Sequence, residues 1–164
     1  MKEIPSMITA IHNGWHNYQT ALITALRPLS VKQLALCAAP GMRSIGQISA
    51  HIAAARANWF YHLLKEGDAA FAALGRWDRP EMPLQSADIL IQGMETTWQL
   101  MQTAIARWTL VEWEQTFSED HPYAPMVITR QWLIWHLIEH DLHHGGEISL
   151  TMGLHSLLVP NLYT

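Results

Sequence analysis

Four histidines fall within nine residues in the stretch WLIWHLIEHDLHHGGEI, which runs from Trp132 to Ile148. On a helix, this spacing places all four within one arc of about 120°. They are His136, His140, His143 and His144. His140 and His144 have the i, i+4 spacing with which two imidazoles on successive turns bind one metal ion. A metal site needs at least a third protein ligand, and His51, in another helical pattern, is the predicted one.

Spacing alone leaves a second interpretation, in which His140 and His144 are core histidines hydrogen-bonded to the backbone or to Glu147. Glu147 shares their face, where it orients a ligand imidazole, acts as a general base, or is a solvated or capping carboxylate. Glu147 and His143 are the candidate catalytic residues, although the pattern favours packing or support of the ligands for His143 and His136. His136, one turn before His140, is the candidate substitute ligand.

A second histidine pair, His12 and His16, also has i, i+4 spacing and lies beside Tyr18. No third ligand is evident near this pair in the sequence, which favours a position on the surface or along a groove. His16 and Tyr18 are candidates to face a substrate. Cys37, the single cysteine, lies in the apolar segment LALCAAP, which predicts a buried and unreactive thiol.

Four long helical patterns must position these residues, and the sequence has almost no strand signal. The first pattern runs from about residue 6 to 26 and ends before an Arg-Pro pair. A second helix begins at Ser44, whose S-x-x-Q spacing to Gln47 predicts a capping box, and continues to about Lys65.

A long link containing the turn-rich segment Gly75 to Pro83 leads to a third helix, predicted over about Ser86 to Trp108. An irregular, acidic stretch with His121-Pro122 and Pro125 follows, and Thr129 is predicted to cap the fourth helix. Four helices of about 20 residues with turn-rich links predict an all-α, antiparallel four-helix bundle. We expect one domain over residues 1–164, since about 100 to 200 residues is the usual domain size.

Composition excludes several functional classes. An apolar fraction of 49% with 15% charged residues excludes a disordered chain, and no apolar run reaches the roughly 18 residues of a membrane span. The net charge of −4 and scattered basic residues argue against a nucleic-acid partner. Phosphate-binding loops, GxSxG elbows and CxxC pairs do not occur in the sequence. The polar N-terminal stretch does not fit a signal peptide, so we expect a cytoplasmic protein.

The segments RSIGQISAHI in the second helix and HLIEHDLHHGGEISLTMG in the fourth resemble the DinB family of bacterial four-helix-bundle proteins. That family is related to thiol-dependent transferases that use bacillithiol or mycothiol. The resemblance covers most of the chain in layout, and its specific part is the histidine pattern. It implies a metal site formed by His51, His140 and His144. Where many relatives have arginine and glutamine after the last histidine, this chain has Gly-Gly-Glu.

Three neutral imidazoles with a fourth position left to water form a catalytic metal site, which lowers the pKa of a bound water or thiol. The resemblance thus implies a metal-dependent thiol transferase or isomerase that acts on a small electrophile, with a low-molecular-weight thiol as partner. Zinc and nickel are the expected metals, and iron and manganese also suit three histidines. The alternative is a non-catalytic metal-binding, stress-response protein.

The face of the fourth helix opposite the histidines is also apolar, and it predicts a partner. It carries Trp135, Ile138 and Leu142, and the small residues Gly145 and Ser149 continue it. A helix that is apolar on both sides must be covered on both sides, by neighbouring helices or by a second copy of the chain. We therefore expect a homodimer.

Overall fold

The computed structural model describes residues 7–120 and 125–161, and this part of the chain is mostly helical. Its α-helices are α1 (Met7–Leu26), α2 (Val31–Leu34), α3 (Ile45–Asn58), α4 (Ala69–Leu74), α5 (Ala87–Arg107), α6 (Leu110–Glu114) and α7 (Arg130–Leu154). A π-helical segment, Trp59–Leu63, continues α3. Two short strands, β1 (Thr116–Asp120) and β2 (Pro125–Thr129), precede α7.

Local capping signals set where the long helices begin. Ser44 accepts a hydrogen bond from the Gln47 backbone, and the Gln47 side chain accepts one from the Ser44 backbone, so the predicted capping box is present. Thr129 caps α7 as predicted, by accepting from the Trp132 backbone. Each such cap stabilises a helix by about 1 kcal/mol.

The four long helices form the predicted four-helix bundle, in which α3 packs against α5 and α7, and α1 packs against the same two helices. Apolar side chains fill the interior in two layers. One layer is aliphatic and contains Leu22, Ile52, Leu90 and Ile148, and the other is rich in aromatic residues and contains Trp15, Phe60, Trp98 and Leu137. The bundle therefore holds α3 and α7, the two histidine-bearing helices, side by side.

The prediction of an irregular stretch before the last helix is wrong in part. The strands β1 and β2 form an antiparallel pair in which Thr116 lies opposite Thr129. The proline in this segment argues against a strand in the sequence. Pro125 is nevertheless the first residue of β2, a position where the missing N–H is tolerated. The dipeptide His121-Pro122 lies outside the described residues. The predicted long link between the second and third long helices also contains a short helix, α4.

The outer face of α7 is only partly covered by the chain itself. Ile138 is buried, whereas 56% of Trp135 and 45% of Leu142 are exposed. Gly145 does not continue this outer face, since it lies against the Tyr18 ring of α1. The homodimer stays a prediction. Across residues 7–120 and 125–161, no helix has the length and apolarity needed to cross a bilayer.

Candidate metal centre

The packing of α3 against α7 brings the three predicted ligands together. The ring centroids of His51 and His140 are 4.9 Å apart, and those of His51 and His144 are 4.6 Å apart. The His140 and His144 rings, one turn apart on α7, are separated by 4.4 Å. One nitrogen from each imidazole lies within 4.8 Å of the other two, so one ion can contact all three.

Carboxylates determine which nitrogen atoms are free to bind a metal. His51 Nδ1 hydrogen-bonds to Asp78 Oδ2 at 3.0 Å, and His144 Nδ1 hydrogen-bonds to Glu147 Oε2 at 2.6 Å. Both rings therefore keep a lone pair on Nε2, because each carboxylate accepts the N–H at Nδ1, as is common for metal-binding histidines. His140 Nε2 is 3.1 Å from His51 Nε2. Two nitrogens at 2.0–2.1 Å from a tetrahedral ion lie about 3.3 Å apart, so this geometry fits a shared ion.

The cluster favours neutral imidazoles, the form that binds metal. Burial lowers the pKa of His51 and of His144, although their hydrogen bonds to Asp78 and Glu147 act in the opposite direction. The hydrogen bond from His144 lowers the pKa of Glu147, so this carboxyl is ionised near neutral pH. The Nδ1 atom of His140 is buried and has no hydrogen-bond partner among the described residues.

The other two histidines of α7 lie at the edges of this cluster. His143 is exposed, and its Nε2 atom lies 3.8 Å from Glu147 Oε1. The His136 ring stacks on Trp132, with 5.0 Å between centroids, and lies 6.1 Å from the ring of His140. His136 thus packs at the end of the cluster and is not among the three histidines that converge.

The candidate residues on α1 are His12, His16 and Tyr18, and their contacts differ from those of the three converging histidines. The His12 and His16 rings lie against Trp98, at centroid distances of 6.3 and 5.7 Å, and His12 also hydrogen-bonds to Gln102. The Tyr18 hydroxyl donates to the Leu142 carbonyl at 3.2 Å. Burial, together with the nearby Asp141 charge, raises the pKa of Tyr18 to about 12, so this phenol stays protonated.

Cys37 differs from its prediction, because it is only half-buried and lines a surface cavity. The short α2 and the turn after it bring the apolar LALCAAP segment to the rim of the bundle. There the Cys37 backbone bridges to Ser44.

The family model of the DinB superfamily matches residues 15–148. The chain belongs to this superfamily. Solved structures with the same fold include a DinB-like protein from Bacillus cereus, with 23% identity over 93% of this chain and 95% of that one and a TM-score of 0.68. A conserved protein from Enterococcus faecalis has 12% identity over 92% and 99% of the chains and a TM-score of 0.66.

A third solved structure, YfiT from Bacillus subtilis, has 18% identity over 95% of this chain and 91% of that chain, with a TM-score of 0.55. It is described as a probable metal-dependent hydrolase with an unusual four-helix bundle topology. No curated protein matches the chain. At these identities, the likeness to the solved structures shows the fold, and the chemistry of this DinB-superfamily member has to be argued from its own residues.

Sequence reasoning missed two acidic residues of this DinB-superfamily protein. Asp78, in the link before α5, holds His51, and no periodic pattern marks a single acidic residue in a loop. Asp141, which directly follows His140, is fully buried and accepts from Arg56 Nη2 at 2.6 Å and from Trp15 Nε1 at 2.7 Å.

Both members of the ion pair between Arg56 and Asp141 make further hydrogen bonds within the protein. Arg56 also donates to Gln19 Oε1 at 2.8 Å and to the Met94 carbonyl at 3.3 Å. Burial alone would raise the pKa of Asp141, but the Arg56 charge and the hydrogen bonds that Asp141 accepts from Arg56 and Trp15 hold it below its usual value. An acidic residue inside an apolar helical stripe, with an arginine on the facing helix, was the available signal.

Proposed function

We propose that His51, His140 and His144 bind one divalent metal ion, and that the protein is an enzyme acting on a small electrophile. The convergence of three imidazoles from two helices, two of them fixed by carboxylates with Nε2 left free, carries this proposal. Three histidines and no thiolate suit zinc or nickel, and also iron or manganese.

Such an ion, with one position open, supplies a bound thiolate or hydroxide near neutral pH. We propose a low-molecular-weight thiol as the nucleophile, in a transferase or isomerase reaction. Glu147 orients the His144 ring from a distance of 2.6 Å. A direct catalytic role for Glu147 or His143 stays a prediction, and the exposed side chain of His143 gives that residue access to a bound substrate.

Water is the second candidate nucleophile. The description of the Bacillus subtilis structure as a probable metal-dependent hydrolase favours it. Transfer to a thiol consumes one thiol for each electrophile, whereas hydrolysis consumes the electrophile and leaves the thiol concentration unchanged. A metal-binding protein without turnover is the non-catalytic alternative.

Metal analysis of protein purified without an affinity tag tests the proposal. We expect about one divalent ion per chain in the parent and a loss of most of it in His144→Ala, because two ligands rarely retain a divalent ion against dilution. Turnover of an electrophile, followed with several thiols and without thiol, should fall with the metal. His62→Ala is the matched control, since it removes an exposed histidine outside the cluster.

Two outcomes would contradict this function. Equal turnover in His144→Ala and the parent, at the metal content measured for both, would show that the ion takes no part in the chemistry. A parent that holds its ion but turns over no electrophile, with or without thiol, would favour the non-catalytic alternative.

A further inference from the structure

A cavity of about 470 Å³ lies beside the histidine cluster, between the start of α3 and the link that precedes α5. Gln47 and Ala50 of α3 form one wall, and Asp78 and Arg79 of the link form the opposite wall. Arg43, just before α3, also lines the cavity. Neither Arg43 nor Arg79 belongs to the pattern of metal ligands that the sequence predicts.

The Asp78 side chain connects the cavity to the histidine cluster. Asp78 lines the cavity, and its Oδ2 atom hydrogen-bonds to His51 Nδ1 at 3.0 Å. Gln47 and Ala50 lie within one helical turn of His51, on α3. Arg43 lines the same cavity, two residues before α3 begins.

Both cavity arginines are free of carboxylate partners. Among the residues that the structure describes, no carboxylate oxygen lies within 4.0 Å of the guanidinium of Arg43 or Arg79. By contrast, Arg27 and Arg107 each pair with a glutamate on the surface. Two unpaired guanidinium groups that line one concave surface are suited to bind an anion.

We propose that Arg43 and Arg79 form a subsite for a carboxylate group of the thiol or electrophile that reacts at the histidine cluster. This inference rests on the proposed function and specifies its substrate class.

The charges of the cavity favour a carboxylate over a phosphate ester. The charged side chains of its lining are Arg43, Arg79 and Asp78, which give a formal net charge of +1. A monoanion neutralises this charge, whereas a dianion exceeds it and is repelled by Asp78. The planar guanidinium also matches a carboxylate in a two-point hydrogen bond.

Binding of matched thiols to zinc-loaded protein tests the subsite. Isothermal calorimetry would compare 3-mercaptopropionate with its methyl ester and glutathione with its dimethyl ester, which keep the thiol and lose the carboxylate charge. We expect both acids to bind the parent at least tenfold more tightly than their esters, because hydrogen bonds between two charged groups are stronger than those to a neutral ester. In the double variant Arg43→Gln/Arg79→Gln, acids and esters should bind alike, with the zinc content unchanged.

Arg76→Gln is the matched control, because Arg76 is exposed in the same link but does not line the cavity. Equal binding of acid and ester to zinc-loaded parent protein would overturn the subsite and leave the proposed function standing. A parent without zinc affinity would overturn both. A loss of acid binding in Arg76→Gln as large as in the double variant would show a nonspecific charge effect and overturn the subsite. Displacement of the acid by inorganic phosphate at lower concentration than by acetate would overturn the carboxylate assignment.

Discussion

Two polar clusters meet on α7, and their surroundings differ although His140 and Asp141 are consecutive residues. The ion pair of Arg56 and Asp141 has side-chain exposures of only 1% and 0%, and protein donors and acceptors surround both groups. The side chains of His51, His140 and His144 are 18%, 13% and 12% exposed. The Nε2 atoms of His51 and His140 face each other, and Nε2 of His144 is free.

This difference separates a structural role from a binding role. A buried charge is tolerated only when the protein itself supplies its partners, so a fully bonded ion pair leaves nothing for a ligand to bind. Lone pairs that face one another at the edge of the core have the opposite property. They are satisfied best by a cation from outside the protein.

The largest effect should follow from breaking the structural cluster. Asp141→Asn leaves the buried Arg56 without a counter-charge, so we expect a loss of about 3–5 kcal/mol in the free energy of unfolding. Urea denaturation of metal-free protein measures this loss. Glu139→Gln, an exposed charge removal on the same helix, should change stability by less than about 0.5 kcal/mol.

A double variant sharpens this test. Arg56→Met/Asp141→Leu replaces the ion pair by apolar side chains and should recover most of the stability that Asp141→Asn loses, because apolar replacements of buried pairs are often neutral. A change of less than 1 kcal/mol in Asp141→Asn itself would show that the buried pair does not hold the bundle together.

A medium effect should follow from weakening the support of the histidine cluster. Asp78→Ala removes the carboxylate that fixes His51, and we expect about a 10- to 100-fold loss of zinc affinity with little loss of stability. Competition with a chromophoric chelator measures the affinity. Glu81→Ala, an exposed carboxylate in the same link, is the control, and equal zinc affinity in Asp78→Ala and the parent would contradict the supporting role of Asp78.

The smallest effect is expected at Glu147. In Glu147→Gln the amide oxygen can still accept from His144 Nδ1, so zinc affinity and turnover should both stay within about tenfold of the parent. Zinc titration and steady-state kinetics measure the two quantities. A fall in turnover of roughly 10² to 10⁴ with zinc retained would instead identify Glu147 as a general base.

The sequence predicted the parts of the fold that depend on local signals. Ser44 with Gln47 marks the start of α3, and Thr129 marks the start of α7, each through residues only three positions apart, so caps could be placed without any tertiary information. The i, i+4 spacing of His140 and His144 is equally local. The prediction of His51 as third ligand rested on its place in another helical pattern and on the resemblance, since spacing along the chain cannot show which histidine on another helix faces the pair.

Contacts that join distant residues could not be predicted in the same way. Arg56 and Asp141 are 85 positions apart, and each lies in a helix whose pattern is otherwise apolar. Asp78 contacts His51 from a link with no periodicity. Pairing of β1 with β2 was missed because the sequence between them contains turn formers and acidic residues, which favour an irregular segment.

The unpartnered Nδ1 of His140 has a consequence for how protons are distributed in the cluster. His51 and His144 keep their single N–H on Nδ1, so without an ion the His140 ring must donate from Nε2 to His51 across 3.1 Å. An ion held by all three Nε2 atoms would move that proton to Nδ1, whose distance to Asp141 Oδ1 is 3.9 Å. Loading near neutral pH would then exchange the Nε2–H tautomer of His140 for its Nδ1–H tautomer, with no proton released to solvent. The ¹⁵N chemical shifts of His140 would therefore report whether the site holds an ion.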